Sequence, residues 1–461
     1  MNKRYGLFTA ICMVVGIVIG SGVFFKAEQI LEYTGGNMLI GILAWIIGGV
    51  VMIICAFNFA NFATRYVKVN GVVDYAEAII GPRYAYMTGW FLSTIFYPAM
   101  TSVLAWVSAR YTLVLFNPEA DPTSGLCIAL GAFYLCLAYT VNVISPKIAG
   151  KFQISATVAK LIPLAVIMIF GTIAGIINGN TTEAFASSVH TASGGFDSVF
   201  AGVGAAAFAY EGWIIATSIN SELKDSKKNL PRALVIGTAI IMAVYILYFI
   251  GITGGTTVDV LGQSNGATKS FIGLFGNVGN TVIHAFIVVS CLGTLNGLML
   301  ANTRSFYSVS VRGHGPKPKT FAQIDPQTNM PMNASAVTLL FCGAWYFYFY
   351  GANLTTPIFG LFNFDSSELP IITLYALYIP IFVMFIKKEG KNNIFMNVIM
   401  PMLAILSSMF MIFVAIYAHG IAKYKEAAAN GDFAFPVLFY LIVFVIIMAI
   451  GALLYKTKDK E

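Results

Sequence analysis

An apolar run over residues 7–33 contains, near its middle, the glycine-rich segment Gly16-Ile17-Val18-Ile19-Gly20-Ser21-Gly22. Glycine costs a helix about 1 kcal/mol relative to alanine, so closely spaced glycines permit a local break. Gly16 and Gly20 alone also fit the GxxxG pattern of helix packing. The third glycine, after Ser21, adds nothing to such a packing face and suits an unwound turn. The segment therefore predicts a membrane helix that is interrupted near its middle.

A break at this position leaves hydrogen-bonding groups of the backbone free on both of its sides. Free N–H groups around Gly20, Ser21 and Gly22 lie at the positive end of a helix dipole, an arrangement that attracts a carboxylate. Free carbonyls near Val18, and similar ones at a second break described below, suit an ammonium group. These groups together predict a binding site for the zwitterionic end of an α-amino acid.

The rest of the chain is strongly apolar as well. Its 461 residues are 58% hydrophobic and only 10% charged, whereas soluble domains carry about 25% charged residues. This composition excludes a water-soluble enzyme, and the chain is predicted to be one all-α membrane domain over residues 1–461. A bilayer span needs about 20 apolar residues. Twelve spans are predicted, at 7–33, 38–65, 83–116, 124–144, 148–177, 197–221, 231–253, 271–303, 333–350, 360–386, 394–417 and 434–455.

The basic residues lie mainly on one side of these spans. If the N-terminus with Lys3 and Arg4 is cytoplasmic, five of the 27 Lys and Arg fall outside and Lys160 lies within a span. The positive-inside rule then places both termini in the cytoplasm. A basic face against anionic lipid accounts for the net charge of +7, so no nucleic-acid partner is predicted. The five outer residues are Lys26, Arg110, Lys269, Lys423 and Lys425.

The sixth span, 197–221, is the second unusual one. It contains Gly202 and Gly204, followed by Phe208-Ala209-Tyr210-Glu211-Gly212-Trp213. Interrupted segments at matching places in two halves of a chain predict an inverted-repeat transporter with a site near the bilayer midplane. Phe208 is the candidate lid over the substrate. Glu211 is either a gate or substrate contact that faces a cavity, or a neutral carboxylic acid that holds the broken helix in shape.

Lys160 is a charged residue deep within the fifth span. It follows Lys151 by nine residues, about 13 Å along a helix, which places it near the middle of a hydrocarbon core about 30 Å thick. A central lysine costs about 2.5–3.5 kcal/mol, so it is expected to face a polar interior and to mark a function. The alternative is a lysine that braces spans by bonding to backbone carbonyls, for which those freed in span one are natural partners. Asp365 and Glu368 are expected at the water boundary, near the outer end of span ten.

The reactive side chains are scattered. The six cysteines form no CxxC pair and the four histidines fit no HExxH spacing, so no disulfide, metal site or cofactor is predicted. A membrane enzyme needs a catalytic constellation, and a channel needs a polar lining or a ring of charges. The sequence contains neither pattern, which favours a transporter.

Several motifs occur in a characteristic order along the chain. They are Gly16-Ile-Val-Ile-Gly-Ser-Gly-Val-Phe24, Gly150-x9-Lys160-Leu-Ile-Pro163, Phe208-Ala-Tyr-Glu-Gly-Trp213, Glu222-Leu-Lys-Asp-Ser-Lys-Lys-Asn-Leu-Pro-Arg-Ala233, and Gly293-Thr-Leu-Asn-Gly297 with Arg304. Over nearly its whole length the chain resembles the amino acid–polyamine–organocation (APC) superfamily, and most closely its LAT-like branch, which includes bacterial serine/threonine exchangers.

This resemblance implies a LeuT-type fold with discontinuous first and sixth helices. Residues 7–177 and 197–386 would form two inverted repeats, followed by two additional helices over 394–455. Lys160 would occupy the space of a sodium site, which implies sodium-independent transport. By the same resemblance the carboxylate would be bound at Gly20, Ser21 and Gly22, and the amino group by the carbonyls of Val18, Ala205 and Phe208, with the Phe208 ring as a gate.

The function implied is alternating-access exchange of small neutral L-amino acids across the plasma membrane. Proton-coupled symport, in which Lys160 or Glu211 titrates, is one alternative. An amino acid/amine antiporter is another, favoured if Glu211 pairs with a cationic substrate. The outer loop at 117–122 has no cysteine, so the disulfide to a heavy chain found in animal members is not expected.

Overall fold

The regular secondary structure of this protein is helical throughout the part that its computed structural model describes. That part comprises residues 6–20, 22–66, 71–117, 119–190, 195–214, 223–263, 266–354 and 356–455. Short π-helical or 3-10 turns connect several helices end to end. The α-helices are α1 Leu7–Val18, α2 Gly22–Tyr33, α3 Met38–Arg65, α4 Val72–Ile79, α5 Pro82–Phe91, α6 Tyr97–Phe116, α7 Gly125–Ile144, α8 Pro146–Ala159, α9 Leu161–Val166, α10 Thr172–Ile177, α11 Asn180–His190, α12 Gly195–Tyr210, α13 Ser226–Gly251, α14 Val258–Leu261, α15 Gly266–Ser310, α16 Pro318–Phe321, α17 Met332–Ala352, α18 Leu369–Glu389, α19 Met400–Ile416, α20 Lys423–Ala429 and α21 Pro436–Leu453.

Within these ranges nine helical segments are long and apolar enough to cross a membrane, which confirms an all-α membrane protein. They coincide with every predicted span except the first, sixth and ninth. The ninth corresponds to α17, whose tryptophan and tyrosines lower its hydropathy. The nine segments are Met38–Arg65, Pro82–Phe116, Gly125–Ile144, Pro146–Ile177, Ser226–Gly255, Gly266–Ser310, Leu369–Glu389, Phe395–Ala429 and Pro436–Leu453.

The first predicted span is two helices rather than one. α1 ends at Val18, and α2 begins at Gly22. Between them Ile19 has an extended backbone, with ψ at 105°, although its N–H still closes the last turn of α1 on the Val15 carbonyl at 2.9 Å. The predicted interruption of the first helix is therefore confirmed.

The first helix of the sixth predicted span ends directly before Glu211, the residue that the sequence placed in the break. α12 runs without a break through Gly202, Gly204 and Phe208 and ends at Tyr210. The chain then turns at Gly212, whose φ of 106° is unfavourable for residues with a Cβ. Gly202 instead provides close packing, since a Cβ there would lie 2.9 Å from the Cβ of Ala44. Residues 215–222, with the rest of the predicted span, lie outside the described part.

The tenth predicted span begins nine residues later than expected. Its helix, α18, starts at Leu369 rather than at 360. Pro370 occupies the first turn, where its missing N–H costs nothing. The Asp365 carboxylate accepts the backbone N–H groups of Ser367, at 2.6 Å, and of Glu368, at 3.1 Å. These contacts give residues 365–368 a turn of their own ahead of the helix.

The long helices form two packed groups that determine where a site can lie. In one group α2, α12 and α13 pack with α3, and α1 packs on α13; in the other, α6, α7, α8 and α17 pack with α15. The groups approach one another at the interruption between α1 and α2. A Cβ at Gly20 would lie 2.5 Å from the Thr294 hydroxyl on α15, so a side chain there would require Thr294 to shift.

Candidate functional site

The start of α2 lies directly against the last turn of α12. A Cβ at Gly22 would lie 2.9 Å from the Cα of Ala209 and 3.6 Å from the Phe208 ring. Because the nearest of these atoms belongs to the backbone, a side chain at Gly22 would require the two helices to separate. Val18, at the end of α1, is buried. The structure thus brings together Val18, Gly22 and Phe208, three of the predicted binding residues, while Ser21 lies outside the described residues.

Tyr245 of α13 connects the two helix ends. Its hydroxyl lies 3.1 Å from the carbonyl oxygen of Val18 and 2.9 Å from that of Ala209. Its side chain is fully buried. Ala205, whose carbonyl is predicted to accept from the substrate ammonium, is buried within α12, one turn before Ala209. The sequence analysis missed Tyr245, and the available signal was a hydroxyl in the middle of an otherwise apolar span.

Lys160 lies at the junction of α8 and α9 and is 2% exposed. Its ammonium donates to the backbone carbonyl of Gly16, in the last turn of α1. The same part of α1 packs closely on α8, since a Cβ at Gly16 would lie 2.7 Å from a methyl carbon of Thr157. A carbonyl near the end of the first half-helix is the partner that the sequence suggested. The part that Lys160 plays in transport stays a prediction.

Glu211 is half-buried and follows directly after α12. Its carboxylate accepts the backbone N–H of Gly212 at 3.3 Å. This local bond is of the kind expected if Glu211 shapes the end of the helix. Its alternative role, as a gate or substrate contact, stays a prediction.

Phe208, the candidate lid, is covered by α2, the second half of the interrupted helix. Its ring centroid lies 6.4 Å from that of Phe25, with the planes 74° apart. The Lys26 ammonium lies 5.0 Å from the Phe208 centroid, within the range of a cation–π interaction. Phe208 is 7% exposed. Two neighbouring residues of α2 therefore enclose the lid from one side.

Lys26 and Glu368 form a buried ion pair that the sequence did not indicate. Lys26 Nζ lies 2.9 Å from Glu368 Oε1, and the two side chains are 0% and 2% exposed. His419 Nε2 lies 3.0 Å from the other carboxylate oxygen, Oε2. The expectation that Glu368 lies at the water boundary is therefore wrong. Its charge is tolerated inside the protein because both of its oxygens have partners.

A cluster of possible metal ligands lies at the same place. One ligand atom from each of Asp365, Glu368 and His419 falls within 4.8 Å of the others. Glu368 already binds the Lys26 ammonium, so a metal ion here would bring a second positive charge beside a buried lysine. The donor set therefore fits an ion-pair network better than a metal site.

A second ion pair holds the opposite side of α2. Arg110 of α6 lies 3.1 Å from Glu28, and the two side chains are 16% and 7% exposed. Lys26 and Glu28 thus attach α2 to two different parts of the protein. The sequence analysis placed Lys26 and Arg110 on the outer side and named no partner for either, because no local pattern connects residues so far apart in the chain.

Comparisons with known proteins agree with this architecture. A family model described as amino acid permease matches residues 5–450. The serine/threonine exchanger SteT of Bacillus subtilis (strain 168) is 28% identical over 423 residues, covering 89% of this chain and 91% of SteT. The b(0,+)-type amino acid transporter 1 of Mus musculus is 25% identical over 427 residues, which is 92% of this chain and 85% of that protein.

A third relative is the large neutral amino acids transporter small subunit 2 of Rattus norvegicus. It is 30% identical over 346 residues, which is 74% of this chain and 63% of the relative. The relatives are transporters rather than enzymes, and the predicted resemblance to the APC superfamily is confirmed. With its apolar helices, its interrupted first helix and a family match over nearly the whole sequence, the chain belongs to the amino acid permease family.

Proposed function

We propose that this protein exchanges small neutral L-amino acids across the plasma membrane, independently of sodium and by alternating access. The observation that carries the proposal is the interruption between α1 and α2. The N–H groups at Gly20, Ser21 and Gly22 would bind the substrate carboxylate at the positive end of α2. The carbonyls of Val18, Ala205 and Phe208 would accept from its ammonium group.

The proposed fold is the LeuT type with twelve spans. Residues 7–177 and 197–386 would form the inverted repeats, with additional helices within 394–455, both termini in the cytoplasm and no disulfide-linked heavy chain. The two packed groups support this assignment. The group around α3 contains both α1, which ends at Val18, and α12, which ends two residues after Phe208. In alternating access this group would rock against the group formed around α15.

Two features favour a small substrate and sodium independence. The contact between Gly22 and Ala209 leaves little room beside Phe208, so a short side chain fits better than a long one. Lys160 donates to the Gly16 carbonyl and so joins α1 to the junction of α8 and α9 through a side chain of the protein itself. The name of the related serine/threonine exchanger also supports small polar substrates.

Transport in proteoliposomes tests the proposal. Vesicles loaded with unlabelled serine should take up labelled serine equally well in sodium and in choline buffers, and empty vesicles should take up little. A panel of competing amino acids and amines defines the substrate class. Uptake driven by a pH gradient in empty vesicles would support proton symport instead, and competition by amines would support the amine antiporter.

A further inference from the structure

Three ionisable side chains from distant parts of the chain meet on the outer side of Phe208. Lys26 comes from α2, Glu368 from the turn before α18, and His419 from the π-helical turn Tyr417–Ala422. We call these three residues the outer latch. His419 is the most accessible of them, with 12% of its side chain exposed. Such π-helical turns are frequent at functional sites.

The outer latch packs on the turn of α12 that precedes Phe208, the candidate lid. A Cβ at Gly204, one turn before Phe208, would lie 2.8 Å from Glu368 Oε2. Lys26 contacts the Phe208 ring on one side and Glu368 on the other. A substrate that enters from outside must separate α2 from the start of α18 before Phe208 can move. This separation breaks the bond between Lys26 and Glu368.

We propose that the outer latch is the external gate of the transport cycle, and that protonation of His419 from outside tightens it. This inference rests on the proposed function. Lys26 and His419 bind different oxygens of Glu368, so a charged His419 adds a second charge-assisted bond without displacing the first. Asp365 supplies the further negative charge. With His419 protonated, these four groups sum to zero charge, and with His419 neutral they sum to −1.

The surroundings of His419 agree with this direction of the effect. An ordinary histidine titrates near pH 6.5, and the carboxylates of Glu368 and Asp365 are the nearest charges that favour its protonation. Lys26 opposes it from the far side of Glu368. The neighbouring helices carry further charged or titratable groups within the described part of the chain. They are Glu28, Glu32 and Tyr33 of α2, Asp197 and Tyr210 of α12, Tyr417, Lys423, Tyr424, Lys425 and Glu426 at and after the π-helical turn, and Tyr440 of α21.

The test is counterflow into right-side-out proteoliposomes with the internal pH fixed and the external pH varied from 7.5 to 5.5. A tighter latch lowers the fraction of protein that is open to the outside, and the apparent affinity falls with that fraction. The external KM of the wild type should therefore rise about five-fold toward acid pH, since charge-assisted hydrogen bonds are roughly twice as strong as neutral ones. The maximal rate should change little.

H419Q should abolish this dependence on external pH, because the glutamine amide reaches Glu368 and cannot titrate. H314Q, the same substitution on a cytoplasmic loop, is the matched control and should keep the wild-type profile. H419N replaces H419Q if H419Q does not elute as a folded protein in gel filtration.

A wild-type pH profile in the His419 variant would overturn the outer latch. The counterflow seen in that experiment would still support the proposed exchange. The absence of amino acid counterflow at every pH would overturn the proposed function, and the latch with it.

Discussion

The two halves of the interrupted helix are equally long but held in different ways. α1 and α2 have 12 residues each. α2 carries Lys26 and Glu28, whose ion pairs attach it to Glu368 and to Arg110. In the described part of α1 there is no charged side chain, and it is attached to α8 through a backbone carbonyl that accepts from Lys160.

Ion pairs between side chains therefore attach α2, whereas a hydrogen bond from a lysine to a backbone carbonyl attaches α1. Moving α2 away requires two buried ion pairs to separate, which costs the attraction and the hydrogen bonds between the partners. Opening the inner half requires one lysine to release one carbonyl. In the exchange cycle that we propose, external opening would therefore depend on an electrostatic gate and internal opening on Lys160. Substitutions in each half can separate these contributions.

The largest effect is expected at the first residue of the outer half. G22V should reduce transport to background, because the valine side chain would collide with the Ala209 backbone and block the N–H groups proposed to bind the carboxylate. Counterflow of labelled serine and binding to the purified protein measure this effect. G6A, at the start of the inner half, has no atom within 4 Å of its new Cβ and should transport normally. Wild-type affinity in G22V would contradict the proposed site.

Loss of the lysine that holds the inner half should have the next largest effect. K160A should fold but transport about ten- to a hundredfold more slowly, since a hydrogen bond from a charged group contributes about 1.5–3 kcal/mol. Initial rates of counterflow and gel filtration measure activity and folding separately. K151A removes an exposed lysine from the same helix and should have little effect. Full activity in K160A would contradict a role for Lys160 in transport.

The second ion pair of the outer half should give a smaller change of a different kind. E28Q leaves α2 less firmly attached to Arg110, so the outer side should open more readily. We expect the external KM to fall about ten-fold, with lower thermal stability in detergent, because a charged hydrogen bond is replaced by a neutral one. E32Q removes an exposed charge one turn later and should leave both unchanged. A raised KM in E28Q would contradict the electrostatic gate.

Much of the fold and part of the site could be predicted from local sequence. The spans are long apolar runs, and the break in the first helix follows from three glycines within seven residues. The burial of Lys160 followed from its depth in an apolar run. Each of these features is determined by neighbours in the chain, and therefore a local pattern contains it.

The outer ion pairs could not be predicted in this way. Lys26 and Glu368 are 342 residues apart, so nothing near either residue indicates its partner. Glu368 was placed at the water boundary because an isolated carboxylate avoids the membrane, and only tertiary packing supplies the two partners that permit its burial. In span six, Gly202 and Gly204 lie inside α12 and serve close helix packing, and the helix ends at Tyr210, directly before Glu211, which the sequence placed in the break.

The smallest expected effect concerns the hydroxyl that lies between the ends of α1 and α12. Y245F removes a donor within reach of the Val18 and Ala209 carbonyls, and a neutral hydrogen bond contributes about 1 kcal/mol. Serine affinity should therefore change by about five-fold at most. It should fall if the hydroxyl positions the carbonyls, and rise if the hydroxyl competes with the substrate ammonium.

Y248F, one turn further along α13, is the matched control. It removes a buried hydroxyl that has no hydrogen-bond partner in the described part of the chain, so it should leave the affinity for serine unchanged. Equal affinities in Y245F and Y248F would mean that the Tyr245 hydroxyl neither positions these carbonyls nor competes with the substrate ammonium for them.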